Sequence, residues 1–252
     1  MGGRFALKAR DHVRVPERKR LFNERHFGEA AARYDLATRA MSLGRDAAWK
    51  RALVAALPER SAPTCVDLAC GTGDVAFLLA DRYRAGAVAG VDIAAPMLAV
   101  ARARNRFGNV RFESADMAAL PFPDGSVDVV TGAYALRNAP ELGAALAEIR
   151  RVMKRDGVAA FLDFRRPESL LFQRLQYLLL RGWCGLWGLL LHGSSQVHGY
   201  IAESLAVFPD RGRLPGILRA EGFKVAFSRR FFLGILEMLV LRRLPPVGAA
   251  AV

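Results

Sequence analysis

Cysteine is scarce in this 252-residue chain, and the three present, Cys65, Cys70 and Cys184, are too few and too awkwardly spaced for a disulfide framework. Two of them lie in or beside one apolar run, so they read as small buried hydrophobes in a reducing compartment. No His/Cys/Glu spacing resembles a metal-ligand set, and no metal is expected. The N-terminal "MGGRFALKARDHVRVPERKRLFNERHF" lacks a continuous apolar stretch of the signal-peptide kind; a basic, flexible arm over residues 1–30 is expected, with a transit peptide as the lesser alternative. In 169–191, "SLLFQRLQYLLLRGWCGLWGLLL", Arg174 and Arg181 keep each uncharged run short of the ~20 residues of a spanning helix. Repeats and low-complexity tracts are missing too. Acidic residues are the minority charge, 24 against 37 Lys and Arg, and the resulting +13 favours an anionic partner: a phospholipid surface, a nucleic acid or an acidic substrate. An Arg-rich proteome would produce the same surplus without any such partner.

What is present is enough apolar residue, 52% of the chain, for one substantial core. Apolar runs at 64–68, 87–91, 110–112, 127–131 and 158–164 alternate with helical patterns such as 96–106 and 140–153. Strand then helix, repeated, predicts an α/β fold: a Rossmann-like, doubly wound parallel sheet covered on both faces. The 169–191 segment reads either as a buried core helix or as a lid facing lipid, with Trp183 and Trp187 on one helical face. The closing "FKVAFSRRFFLGILEMLVLRR" reads as an antiparallel pair of edge strands, and 244–252 as a frayed tail.

The chemistry concentrates around "TCVDLACGTGDVAFLLA", residues 64–80. A strand ending near Asp67 meets Gly71 and Gly73 just before a helix, and glycines there permit positive φ and let a ligand approach the backbone at the helix N-terminus. Asp92 closes the second strand nineteen residues beyond Gly73, where a carboxylate accepts from ribose hydroxyls. Asp116 follows the third strand and could accept an adenine amino group, with Met117 as an apolar face and backbone donor. Three strand ends thus converge on one nucleoside. Ala76 stands where a dinucleotide fingerprint has its third glycine, a replacement some dinucleotide sites tolerate, so NAD is not excluded by spacing.

"VDLACGTGD", "GVDIAAPML", "ADMAALPFPDGSVDVVTGAYALRN" and "YIAESLAVFP" resemble, in order, the motifs of class I S-adenosylmethionine methyltransferases, and specifically of the UbiE-like ubiquinone and menaquinone C-methyltransferases. The likeness runs from about Tyr34 through about Arg242; "ALRN" and "YIAESLAVFP" are its family-specific pieces. It implies a seven-stranded sheet with the last strand antiparallel, an N-terminal helical arm and an apolar helical lid insertion, forming a single domain over 31–243 with an apolar substrate lid at about 169–200. It also implies that Asp67, Gly71, Thr72 and Gly73 cradle the methionine end of S-adenosylmethionine. Asp92 and Ile93 then hold the ribose, Asp116 and Met117 the adenine, and Ala133 lines the site beside the methyl donor. The chain departs from the family near its N-terminus. In "YDLATRAMSLGRDAAWKR" the residues Tyr34, Asp35, Met41, Ser42, Gly44, Trp49 and Lys50 are kept, but Thr38 and Arg39 replace an Asn-Asp pair and Asp46 replaces a His. "KRDG" also stands for the usual "KPGG".

C-methylation requires a ring carbon aligned with a sulfonium methyl and help in ionising the phenol. Arg137 is the candidate for stabilising the oxyanion, Asn138 for orienting a water or a substrate oxygen, and Tyr34 for covering the cofactor or bonding the substrate. The plainer alternatives are a structural salt bridge for Arg137 and a packed aromatic for Tyr34. His192, His198 and Asp163 are weaker candidates. The expected reaction is ring-carbon methylation of a prenylated quinol or naphthoquinol, by a cytoplasmic enzyme peripheral to the inner face of the membrane, as a monomer or a homodimer. A hydrophobic phenol or polyketide outside quinone chemistry is the alternative acceptor, and so is another use of the cofactor. RNA methylation is disfavoured because no RNA-binding module or stacking aromatic array is visible, so no nucleic acid partner is expected. A non-catalytic scaffold is disfavoured by the intact acids at all three nucleoside positions.

Overall fold

The computed structural model describes residues 8–245; the expectations for residues 1–7 and for most of the tail lie outside the described residues. Three helices come first, α1 (Pro16–Ala30), α2 (Tyr34–Met41) and α3 (Asp46–Ala55). Strands and helices then alternate through β1 (Thr64–Leu68), α4 (Asp74–Arg82), β2 (Ala87–Asp92), α5 (Ala95–Arg104), β3 (Val110–Ser114), β4 (Val127–Ala133), α6 (Leu142–Val152) and β5 (Met153–Phe164). A long helix, α7 (Leu170–His192), packs on α8 (Gln196–Val207), and α9 (Leu214–Ala220), β6 (Phe223–Phe231) and β7 (Leu236–Arg243) complete the chain.

The strand order is β3-β2-β1-β4-β5-β7-β6, with β7 antiparallel to both its neighbours, as the resemblance implies. Period-two alternation sends adjacent strand residues into two separate cores: Val66, Val130 and Phe161 into one, Cys65, Val129 and Leu162 into the other. Both faces are therefore covered, which is why β1 and β4 read as continuous apolar runs. β6 is the exposed edge, and Lys224, Arg229 and Arg230 on it oppose edge-to-edge pairing.

Two features differ from the sequence expectations. Residues 16–30 form α1, helical as expected of the N-terminal arm but packed rather than flexible, with Lys19, Phe22, Asn23, His26 and Ala30 buried. The spacing of these residues is helical, but three of the five are polar, so no apolar stripe announces the face. α7 is neither wholly core nor wholly lid: Gln176, Leu180, Cys184 and Gly188 are buried, while the rest of its circumference is largely exposed. No helix among the described residues is long and apolar enough to cross a membrane.

The strand order changes direction between the parallel neighbours β1 and β4, so the carboxyl ends of β1, β2 and β4 open onto one crevice. Gly73 caps α4 at φ 92°, and a Cβ there would lie 2.8 Å from Phe77 and 3.1 Å from Phe112, so glycine is required.

Candidate active site

A cleft of about 650 Å³ opens at that crevice, and Gly71, Asp92, Ile93, Asp116, Met117 and Ala133 line it together. The Asp92 carboxylate accepts from the backbone N–H of Gly71 at 2.8 Å through one oxygen and from Ala94 at 2.9 Å through the other. Burial pushes its pKa up, and these backbone donors oppose the rise. Asp116 accepts from the Ala118 N–H at 3.0 Å and pairs with Arg20 at 2.9 Å. Asp67 and Thr72 line a smaller adjoining recess of about 310 Å³, and Gly73 shapes it from the helix cap without lining it. Asp67 is fully enclosed, accepting from the Thr131 hydroxyl at 2.8 Å, and burial pushes it up to about 7.

Residues that the sequence did not single out for the site complete it. α1 roofs the cleft with Arg20, Asn23 and Phe27. It also grips the "LRN" turn: the Lys19 ammonium donates to the carbonyls of Arg137 at 2.9 Å and Ala139 at 2.6 Å, and the Asn23 amide donates to that of Asn138 at 2.7 Å. Around the recess runs a chain of charges. The Tyr134 hydroxyl donates to Asp46 at 2.7 Å, and Lys50 pairs with Asp46 at 2.6 Å and Asp74 at 3.0 Å. Arg104 bridges Asp74 at 2.7 Å and Asp35 at 2.8 Å, and Asp35 accepts from the Thr72 hydroxyl at 2.6 Å. Burial works against the Lys50 charge, but the two aspartates outweigh it and raise its pKa. Lys50 and Asp35 were legible as kept residues and Asp46 as a departure; their joining into one network was not. Tyr134 stands one residue beyond Ala133 at φ 62°, a left-handed conformation uncommon for a non-glycine residue.

A second cavity of about 760 Å³ adjoins the first, and Phe27, Tyr34 and Tyr134 line both. Its other walls are mainly apolar, from Met41, Phe164, Leu180, Cys184 and Ile201. Arg137 is the fixed charge on its wall. Burial opposes that charge, but Tyr200 and Asp163 hold it protonated, the carboxylate lying 3.4 Å away and the rings of Tyr200 and Phe164 flanking the guanidinium. Ser204 accepts a further hydrogen bond from it. Arg137 is thus ion-paired to Asp163, as its structural reading expects, and also lines the cavity. Asn138 lines the first cleft rather than the second, and its buried Oδ1 has no hydrogen-bond partner among the described residues. His198 lines the second cavity and stacks edge-on to His192, while burial brings its pKa down to about 4, so it is neutral and a weak base.

The cleft fits a nucleoside carrying a charged amino-acid tail. Gly71 presents bare backbone, a Cβ there meeting Tyr34 at 3.9 Å, and the Asn138 acceptor has no partner among the described residues. Asp92 and Asp116 present carboxylates and Met117 an apolar side chain to the cleft, and Lys50 and Asp67 place a cation and a carboxyl group in the adjoining recess.

The Lys19 clamp gives a pH signature. Burial first, and then the Arg137 charge, lower the Lys19 pKa to about 8, against a partial rise from Asp163. An unfolded lysine holds its proton to about 10.4, so between pH 8 and 10 the unfolded chain binds more protons and stability from this group rises with pH. Below pH 8 its penalty is fully present. The stability difference between the wild type and Lys19→Met should grow in favour of the wild type by on the order of 3 kcal/mol from pH 8 to 10.5 in urea titrations; a flat difference contradicts the assignment.

The profile of the ubiE/COQ5 methyltransferase family matches residues 16–239. A demethylmenaquinone methyltransferase of Thermus thermophilus is 38% identical over 204 residues, covering 80% of this chain and 93% of that protein. A ubiquinone/menaquinone biosynthesis C-methyltransferase UbiE of Rhizobium johnstonii is 34% identical over 210 residues, covering 80% and 81%. Among solved structures, the methyltransferase held by the Trm112 activator in Haloferax volcanii superposes with a TM-score of 0.64 at 19% identity, over 87% of this chain and 98% of that one, a likeness of fold.

Proposed function

Because the chain belongs to the ubiE/COQ5 methyltransferase family and so is a methyltransferase, we propose that it takes its methyl group from S-adenosylmethionine and delivers it to a ring carbon of a prenylated quinol in menaquinone or ubiquinone biosynthesis. The observation that carries this reading is the pair of adjoining cavities. One has the polar groups a nucleoside needs, and the other is apolar with a single buried guanidinium on its wall.

S-adenosylmethionine, when bound, supplies an electrophilic methyl on a positively charged sulfur. The chain's own residues do the rest. Arg137, kept charged and immobile by Asp163, Ser204 and two aromatic faces, stabilises a phenolate oxygen in the apolar cavity and so makes the ring carbon nucleophilic. Asn138, whose Oδ1 has no partner among the described residues, orients a water or substrate oxygen from the wall of the first cleft. Tyr34 and Tyr134 form the shared wall, fix the approach of the two reactants and exclude water. His198 is too weak a base to take the phenol proton at neutral pH, so water takes that proton while Arg137 holds the phenolate oxygen left behind, and water also takes the ring-carbon proton that leaves after methyl transfer.

Thr38, one of the departures from the family pattern, lines the acceptor cavity, and this favours a hydrophobic phenol outside quinone chemistry as the second reading. Incubation of the purified enzyme with lipid extract, reductant and methyl-deuterated S-adenosylmethionine, read by mass spectrometry, separates the two. A deuterium-labelled quinone is expected; cofactor binding by calorimetry without any labelled quinone would overturn the quinol assignment.

A further inference from the structure

Around α7, the nine large apolar side chains exposed between Leu171 and Leu190 fall within one arc of roughly 140° at 3.6 residues per turn. The centre of the arc is formed by Leu175, Leu179 and Leu186, between 48% and 58% exposed, and Leu171 reaches 72%. No charged residue lies in it. Arg174 and Arg181 both fall on one flank, beside a groove between α7 and α8 lined by Arg166 and Arg174. The opposite, buried face of the same helix supplies Leu180 and Cys184 to the acceptor cavity.

A second observation lies outside α7. The acceptor cavity is also lined by Ser42 and Phe232, and the next residue along the chain from each, Leu43 and Leu233, is thrust outward at 59% and 104% exposure. Both leucines have left-handed backbone, φ 52° and φ 57°, so two non-glycine residues hold an uncommon conformation that leaves an apolar side chain in water. Nine large apolar side chains exposed in one arc of α7, with two more exposed beside the cavity lining, are the kind of exposure that marks an interaction surface.

We propose that this surface docks on an anionic phospholipid bilayer, with α7 lying in the plane of the interface, its leucine arc among the acyl chains and Arg174 at the level of the headgroup phosphates. Charge selects this occupant. The arc is free of carboxylates, Arg174 borders it on one side, where Arg181 is paired with Glu203, and the whole chain carries +13. Docking in this pose turns the mouth of the acceptor cavity to the bilayer, so a lipid substrate enters without crossing water; that consequence rests on the quinol reading, whereas the docking does not.

Flotation of the full-length protein with vesicles tests the surface. Binding is expected to vesicles of phosphatidylcholine containing about 30% phosphatidylglycerol, and to be weaker on phosphatidylcholine alone. The triple variant Leu175→Gln, Leu179→Gln, Leu186→Gln should lose binding at least tenfold while keeping its affinity for S-adenosylmethionine and its turnover of detergent-dispersed quinol. Arg174→Gln should weaken binding to anionic vesicles about fivefold and leave neutral ones unaffected. Wild-type protein that stays unbound with both vesicles overturns the proposal, as does equal binding by the triple variant. A concentration-dependent dimer that the triple variant abolishes would assign the surface to a second copy of the chain and overturn it too. Failure of the quinol reading shows separately, as absent turnover in detergent.

Discussion

Asp92→Asn should lower affinity for S-adenosylmethionine at least 100-fold in calorimetry while the chain stays folded. The native carboxylate offers one oxygen to Gly71 N–H and the other to Ala94 N–H. An amide has a single acceptor oxygen, so in either orientation its NH₂ faces a backbone N–H. Hydrogen bonds to a charged group contribute about 1.5–3 kcal/mol each, and loss of one releases the glycine turn from the second strand. Since 1.4 kcal/mol is a factor of ten, the lost bond combined with the lost ribose acceptor reaches the predicted scale. Thermal unfolding should show a loss of about 1–3 kcal/mol in the free protein. Unchanged cofactor affinity would remove Asp92 from the site.

Arg137→Ala should lose both turnover and stability, and Arg137→Lys separates the two. Removing the guanidinium leaves Asp163, 6% exposed, as an unpaired charge, a change that typically costs 3–5 kcal/mol. For a chain of this length that corresponds to a fall in Tm of about 10 °C. Lysine preserves the charge opposite Asp163 but loses the planar fork that Ser204 and the rings of Tyr200 and Phe164 hold in place. Arg137→Lys should therefore recover most of the stability, bind cofactor within a few-fold of the wild type, and remain about 100-fold down in kcat. A folded Arg137→Lys enzyme with full kcat would leave Arg137 a purely structural role.

The sequence was most legible where backbone and side-chain signals coincide. Gly71, Asp92 and Asp116 sit at strand ends in a strand-turn-helix rhythm, and the rhythm both predicts the sheet and places the residues. Tyr134 was out of reach because its left-handed conformation and its bond to Asp46 depend on α3, which is distant in sequence. The packing of α1 was out of reach for the opposite reason: Lys19, Asn23 and His26 look like solvated residues of a flexible arm, and only their partners in the 137–139 turn and the aromatic ring of Tyr200 make them interior. Asp46 illustrates a third case, in which a departure from a family pattern was visible but its meaning was not until Lys50 and Tyr134 were seen on either side of it.

α1 is a roof fastened by polar bonds as well as by the packing of Phe22, His26 and Phe27 against Tyr200. Two lysine bonds, one asparagine bond and the Arg20–Asp116 pair hold it over the nucleoside cleft. Such a helix can detach by local opening at a lower free energy than global unfolding. The spent nucleoside then escapes at the pace of one helix lifting rather than of two lobes parting. Product release should accelerate in urea far below the unfolding midpoint, making a denaturant at low concentration an activator wherever release limits the cycle.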